Sequence, residues 1–180
     1  DTKVVRHEFL TYAYDLLNKT PCHYFDDSVF AQVYSKLTGL VSKGTTITID
    51  AEILNYFIDG CSAYFQIADL VKDLDIINEN TEVKNRLYRV PAYTSIVEGS
   101  LSNLFRFILL LLNQTSNRDY YNLAIEKTLS PICEALRSNG FNSMVDAVDI
   151  NIRNAINHGG VFFKNDGNKT ICFRYKENNQ

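Results

Sequence analysis

Nine consecutive positions, Leu104-Phe105-Arg106-Phe107-Ile108-Leu109-Leu110-Leu111-Leu112, constrain this chain more than any other stretch. A helix that is apolar on every side has to be covered on every side. The run is too short to cross a bilayer, which takes about 20 such residues, and it carries Arg106. It is expected to form the buried helix of a core, or part of a seam between two subunits, with other helices wrapped around it. The 180 residues allow one full-sized domain and not two comfortable ones. With 46% hydrophobic and 22% charged residues, the composition is that of an ordinary globular fold, so the material for the wrap is present.

Periodicity supplies the wrapping helices. Val5, Phe9, Ala13, Leu16 and Leu17 recur at helical spacing over 4–18, and Pro21 closes that segment. Phe30, Val33, Tyr34, Leu37 and Leu40 do the same over 28–41. The β-branched stretch 44–49 reads as an extended connection. Asp50 then caps a long helix with Ile53, Phe57, Cys61, Tyr64 and Ala68 on one broad face, which the polar residues 78–86 end. Pro91 is expected to open the next helix, running through Ile96, Ser100, Leu104 and Leu111 to about Asn113. Another covers roughly 118–138, with a kink or break at Pro131. Past the terminator Asn139-Gly140, Met144, Val145, Val148, Ile152 and Ile156 mark a last helix ending at Gly159-Gly160. The tail then alternates about a polar turn at 164–168, a β-hairpin signal over 161–176 that needs a helical surface to lean on. The expected fold is all-α: one domain spanning 1–180, a bundle of five or six helices with a C-terminal β-hairpin.

The net charge of −3 makes the whole chain no attractor for nucleic acid, so a polynucleotide has to be held by a local patch. That argues against a sequence-specific DNA binder. Cys22, Cys61, Cys133 and Cys172 form no CxxC pair, and His23 adjoins Cys22 without further ligand spacing. They are expected as buried thiols in a reducing compartment, with neither a disulfide frame nor a metal or cofactor site. No basic stretch followed by an apolar one is visible, so a cytoplasmic location is expected; Asp1 in place of Met leaves room for a longer protein. Heavy use of Asn, Ile, Tyr, Lys and Phe fits a low-GC bacterial or phage genome.

Three histidines restrict imidazole chemistry to His7, His23 and His158. The first two read as surface or capping residues. His158 stands where its helix should end, before Gly159 and Gly160, which free the backbone and leave the ring uncrowded. The carbonyl end of a helix favours a cation, which suits a group that gains and loses protons. Arg153 precedes it by five residues, so the two diverge by about 140° on a straight helix. An extended Arg side chain, an unwound last turn or a second subunit is needed to unite them. The pair suits cleavage of RNA: neutral imidazole accepts the proton of the 2′-hydroxyl, and the planar guanidinium matches two phosphate oxygens as charge grows on them. Asn154 would orient the imidazole or the phosphate. In plainer terms, His158 caps the helix beside Gly159, and Arg153 pairs with Asp149 one turn earlier.

Arg153, Asn154 and His158 within Ile152-Arg153-Asn154-Ala155-Ile156-Asn157-His158-Gly159-Gly160 resemble the Rx4-6H motif of HEPN domains. The resemblance implies an α-helical, commonly dimeric domain of the kind that acts as a metal-independent endoribonuclease in toxin–antitoxin, abortive-infection and CRISPR-associated systems. It implies an RNA substrate, a homodimer, an antitoxin or fused defence protein as partner, and no membrane. It also makes Glu98 a candidate for the additional acidic residue some of these domains place near the motif; otherwise Glu98, a lone acid in an apolar and small-residue helix, would pair with an Arg from a neighbouring helix, such as Arg89 or Arg106. Some HEPN toxins carry a modifiable Tyr two residues after the His, where this chain has Gly160, so silencing by that route is not expected. Two alternatives stand beside the enzyme: a catalytically silent HEPN domain that dimerises or binds RNA or nucleotide, and a helical adaptor unrelated to HEPN.

Overall fold

The computed structural model describes residues 47–73, 80–116, 118–164 and 170–174, together with Ser35, Lys36, Gly39 and Ile76. The helix expected over 4–18, with His7, and also Cys22 and His23, lie outside the described residues. So does the helix expected over 28–41, except for Ser35, Lys36 and Gly39, which are helical. The described chain is a helical bundle closed by a C-terminal hairpin.

Helix α1, Ala51–Asp73, begins as its sequence demands: Asp50 Oδ1 accepts the Ile53 N–H at 2.9 Å, satisfying an otherwise orphaned donor. The preceding extended segment is pinned to the core by Gln114, whose amide exchanges two hydrogen bonds with the Thr48 backbone, at 2.6 and 2.7 Å. Helix α2 runs from Thr81 to Thr115 and starts at Asn80, whose side chain accepts the Val83 N–H. It therefore opens ten residues before Pro91, not at it. Pro91 falls just after a π-helical turn, Asn85–Arg89, and a second such turn covers Ile96–Leu101. Interrupting the i→i+4 ladder near a proline lets the helix continue where a regular ladder would lose a bond and clash.

The apolar run lies in the second half of α2, where Phe105 and Phe107 through Leu112 are all buried. By length and composition α2 would reach across a membrane, but 56% of its most apolar window is buried inside the protein, the position of a core helix. Helix α1 crosses it closely: a Cβ on Gly60 would come within 2.8 Å of Leu104 Cγ and 3.1 Å of the Ser100 carbonyl. Arg106, the one charge in the run, extends to the Lys127 carbonyl at 3.1 Å, at the end of the next helix.

That next helix is two. α3, Tyr121–Glu126, and α4, Leu129–Ser138, are separated by extended backbone at Lys127 and Thr128. The break comes before Pro131, which sits in the first turn of α4, where a missing N–H leaves no bond unmade. Gly140, at φ 81°, ends α4 as expected. The final amphipathic segment is also two helices, α5 at Asn142–Val145 and α6 at Ile150–Asn157, because Asp149 caps a new start. Strands β1, Val161–Phe163, and β2, Ile171–Phe173, pair antiparallel, Phe162 opposite Cys172. Arg86 of α2 covers the Phe163 ring at 5.2 Å, so the hairpin does lean on a helix.

Among the described cysteines, Cys61, Cys133 and Cys172 are free thiols; only Cys133 is buried, the other two being half-buried. Burial pushes the Cys61 thiol up to about 11. Leu109, fully buried on α2, tests the dependence on this core. Leu109→Ala is expected to lower stability by about 3 kcal/mol, read as a drop in the denaturation midpoint with an unchanged m-value.

Candidate active site

Helix α6 carries Asp149, Arg153 and Asn157 at spacings of four, one stripe on one face. All three are stitched to α2. The Tyr93 hydroxyl donates to the Asp149 carbonyl and accepts the Asp149 N–H, each at 3.1 Å. Burial raises the pKa of that phenol; the contact with the Asp149 backbone pulls it down and the Asp149 carboxylate raises it again. One turn on, Arg153 Nε donates to Glu98 Oε1, and Asn157 Nδ2 reaches the same oxygen at 3.3 Å. Tyr93 and Glu98 are five residues apart, a spacing that diverges by about 140° on an α-helix. The wider i→i+5 turn that begins at Ile96 narrows that divergence, so both side chains meet the α6 stripe.

Arg153 is thus held on two edges. Nε is taken by Glu98, and Nη1 donates to Asn154 Oδ1 at 2.9 Å. Nη2 has no hydrogen-bond partner among the described residues. The side chains of Arg153 and Glu98 are 24% and 35% exposed, so the pair is open enough to water for screening to limit its strength. Asp149 does not pair with Arg153; its carboxylate is spent on the Asn151 and Ile152 N–H groups at 2.8 and 3.1 Å, the first turn of α6. Nor does Glu98 pair with Arg89 or Arg106. Arg89 binds Asn85 and Arg106 binds the Lys127 carbonyl.

His158 ends α6 as its C-cap, with φ −100° and its N–H on the Asn154 carbonyl at 3.0 Å. Its ring is exposed and makes no side-chain hydrogen bond among the described residues. Because α6 stays regular through Asn157, the divergence from Arg153 persists: the structure brings together Arg153, Asn154, Asn157 and Glu98, and leaves His158 beside them at the helix tip. The two glycines that follow have different tasks. Gly159 turns the chain at φ 71°, a left-handed conformation. Gly160 is glycine for want of space: a Cβ there would stand 2.1 Å from the Arg174 carbonyl oxygen. Its N–H bonds the Ala155 carbonyl at 2.6 Å and its carbonyl accepts the Arg174 N–H at 2.7 Å. A tyrosine has no room at this position.

Asn157 and Tyr93 are the site residues that the sequence did not single out. The i+4 step from Arg153 to Asn157 was a visible signal; Tyr93 had none. A groove of about 340 Å³ lined by Arg137, Asp146, Asp149 and Asn151 lies at the opposite end of α6, about 12 Å along the axis from His158. Arg137 is paired there with Asp146 at 3.2 Å. No three His, Cys, Asp or Glu side chains converge on a metal-sized space among the described residues. Comparison with protein-family models, with curated proteins and with solved structures gives no match.

Two stability outcomes follow from these contacts. Gly160→Ala is expected to cost well over 1 kcal/mol, because backbone and not a flexible side chain blocks the methyl group; thermal denaturation measures it. Tyr93→Phe removes both contacts to Asp149 and is expected to cost about 1 kcal/mol. Because the folded-state pKa of Tyr93 lies above its unfolded value, stability from this group is present below pH 10 and declines as pH rises through the folded pKa. The Phe variant should lack that alkaline component.

Proposed function

We propose that this protein is a HEPN-like, metal-independent endoribonuclease acting in the bacterial cytoplasm as part of an anti-phage defence or toxin module. One observation carries most of the weight. Glu98, singled out only by resemblance, is 55 residues from Arg153 in sequence and is nevertheless its ion-pair partner. An acid that fixes the motif arginine from a neighbouring helix is what a pre-organised phosphate-binding guanidinium needs.

In the proposed reaction, His158 takes the proton of an RNA 2′-hydroxyl as that oxygen attacks the adjacent phosphorus. Arg153 places Nη2 against the phosphate oxygens where negative charge accumulates. The bond from phosphorus to the 5′-oxygen breaks, and that oxygen leaves with a proton from water or from a second imidazolium. The products are a 2′,3′-cyclic phosphate and a 5′-hydroxyl. Because Arg153 and His158 diverge on α6, the reading pairs the Arg153 of one copy with the His158 of the other in a homodimer. Asn154 and Asn157 orient; Glu98 positions Arg153 without touching substrate.

A second reading has its own observation. Arg153 already gives Nε to Glu98, and no described group orients the His158 ring, an arrangement equally suited to a silent HEPN domain that dimerises or binds RNA. Cleavage of RNA in EDTA separates the two. The enzyme should cut in the presence of chelator and leave cyclic-phosphate ends detectable by mass spectrometry. His158→Ala should lose roughly 100-fold or more in rate, Arg153→Ala a comparable amount, and Glu98→Gln less than either. Undiminished cutting by His158→Ala would remove this site from the mechanism; a folded dimer that cuts no RNA would leave the silent domain.

A further inference from the structure

The register of the hairpin divides its side chains between two faces, since Phe162 pairs with Cys172 and alternate residues point the same way. Val161, Phe163, Ile171 and Phe173 form the half-buried face, with Phe163 against Arg86. The other face runs from Gly160 and Arg174 through Phe162 and Cys172 to Lys164 and Thr170. Phe162 is 40% exposed, and Lys164 and Arg174 are exposed at either end of it. The Arg174 guanidinium stands over the Phe162 ring, 5.4 Å from its centroid, and the ring keeps part of its surface in solvent. None of the described residues of the hairpin is acidic, in a chain whose net charge is −3. This surface is fixed close to the helix tip: Arg174 is bonded to Gly160, two residues or about 7 Å of chain from His158.

We propose that this outer face of the hairpin, Phe162 between Lys164 and Arg174, is the track that holds single-stranded RNA beside His158, with one base stacked on Phe162. The proposal rests on the ribonuclease reading and supplies what that reading lacks, a local cationic surface in an acidic chain. An exposed ring flanked by cations suits a single strand, whose bases are free to stack while its phosphates meet the charges. A duplex keeps its bases stacked on one another and has none to offer Phe162.

Binding of a labelled oligoadenosine strand to the full chain, followed by fluorescence anisotropy, tests this, with His158→Ala as the parent so that the strand survives. Phe162→Ala should weaken binding about tenfold and Phe162→Tyr should restore it, since stacking needs a ring and not a particular one. Lys164→Gln and Arg174→Gln should each lower the slope of log affinity against log salt by about 0.7. Melting temperatures close to the parent's would tie these effects to the surface and not to folding. Unchanged affinity and slope in all the variants, absence of RNA binding, or equal binding of a duplex with the same dependence on Phe162 would each overturn the track. The two ideas fail separately. Hairpin-dependent binding by a wild type that cuts nothing keeps the track and removes the catalysis. His158-dependent cutting that the hairpin variants leave intact removes the track and keeps the catalysis.

Discussion

The burial of Phe105 and of Phe107 through Leu112 on every side of one helix is the constraint from which the rest of this structure follows. A surface helix needs one partner; this one needs a ring of them. Gly60 lets α1 come close, Arg106 gives Nη2 to the Lys127 carbonyl at the end of α3, and α4 supplies Ile132, Cys133 and Leu136, all fully buried. Once that half of α2 is enclosed, its first half projects beyond the densest packing. The motif helix α6 attaches there, with Ala155 as its buried residue and polar contacts doing the rest. The site thus meets α2 at Tyr93 and Glu98, before the apolar run begins.

The polar attachment of α6 depends on a departure from helical regularity. Asp149, Arg153 and Asn157 fall on one stripe because α6 is a regular α-helix. Their counterparts Tyr93 and Glu98 meet that stripe because α2, between Ile96 and Leu101, is not. A π turn gives up tighter backbone geometry, and such turns persist where the surrounding contacts favour the altered register. Here those contacts are two hydrogen bonds to the Asp149 backbone and one carboxylate shared by Arg153 and Asn157. The same irregular turn holds Gly99, whose missing side chain faces Ala63 of α1. One short segment thus serves the core on one side and the candidate site on the other.

What the sequence disclosed divides along the same line. Signals that act within a few residues were legible: Asp50 as a cap, Gly140 as a terminator, the apolar run as core, the hairpin and its dependence on a helix. Where tertiary contacts decide, local rules misplace boundaries. Pro91 looked like a helix start because its ring forbids the usual bond, yet the π turn before it lets α2 pass straight through. The segment after Gly140 looked like one amphipathic helix because Val145, Val148 and Ile152 keep phase; Tyr93, more than 50 residues away, clasps Asp149 and lets a new helix begin. Arg153 presented the same difficulty at the site. Proximity in sequence favoured Asp149, whose carboxylate had nearer work in capping α6, and the true partner, Glu98, lay 55 residues away on another helix. The divergence of Arg153 and His158, by contrast, followed from helix geometry alone, and the regular backbone of α6 preserves it.

On the proposed function, the electrostatics of Arg153 and of the hairpin are complementary. A guanidinium whose Nε is given to a carboxylate loses attraction for phosphate and gains a fixed orientation, and orientation is what raises a rate without merely tightening ground-state binding. Such a site captures a polyanion poorly in a chain of net charge −3. Capture then has to come from cations not neutralised by partners and able to meet phosphates along a strand. Lys164 and Arg174 have no carboxylate partner among the described residues, whereas Arg86, Arg137 and Arg153 each have one within reach. The requirement for glycine at position 160 fits this division: its bonds to Ala155 and Arg174 tie the hairpin to the tip of α6, so that the proposed track lies next to His158.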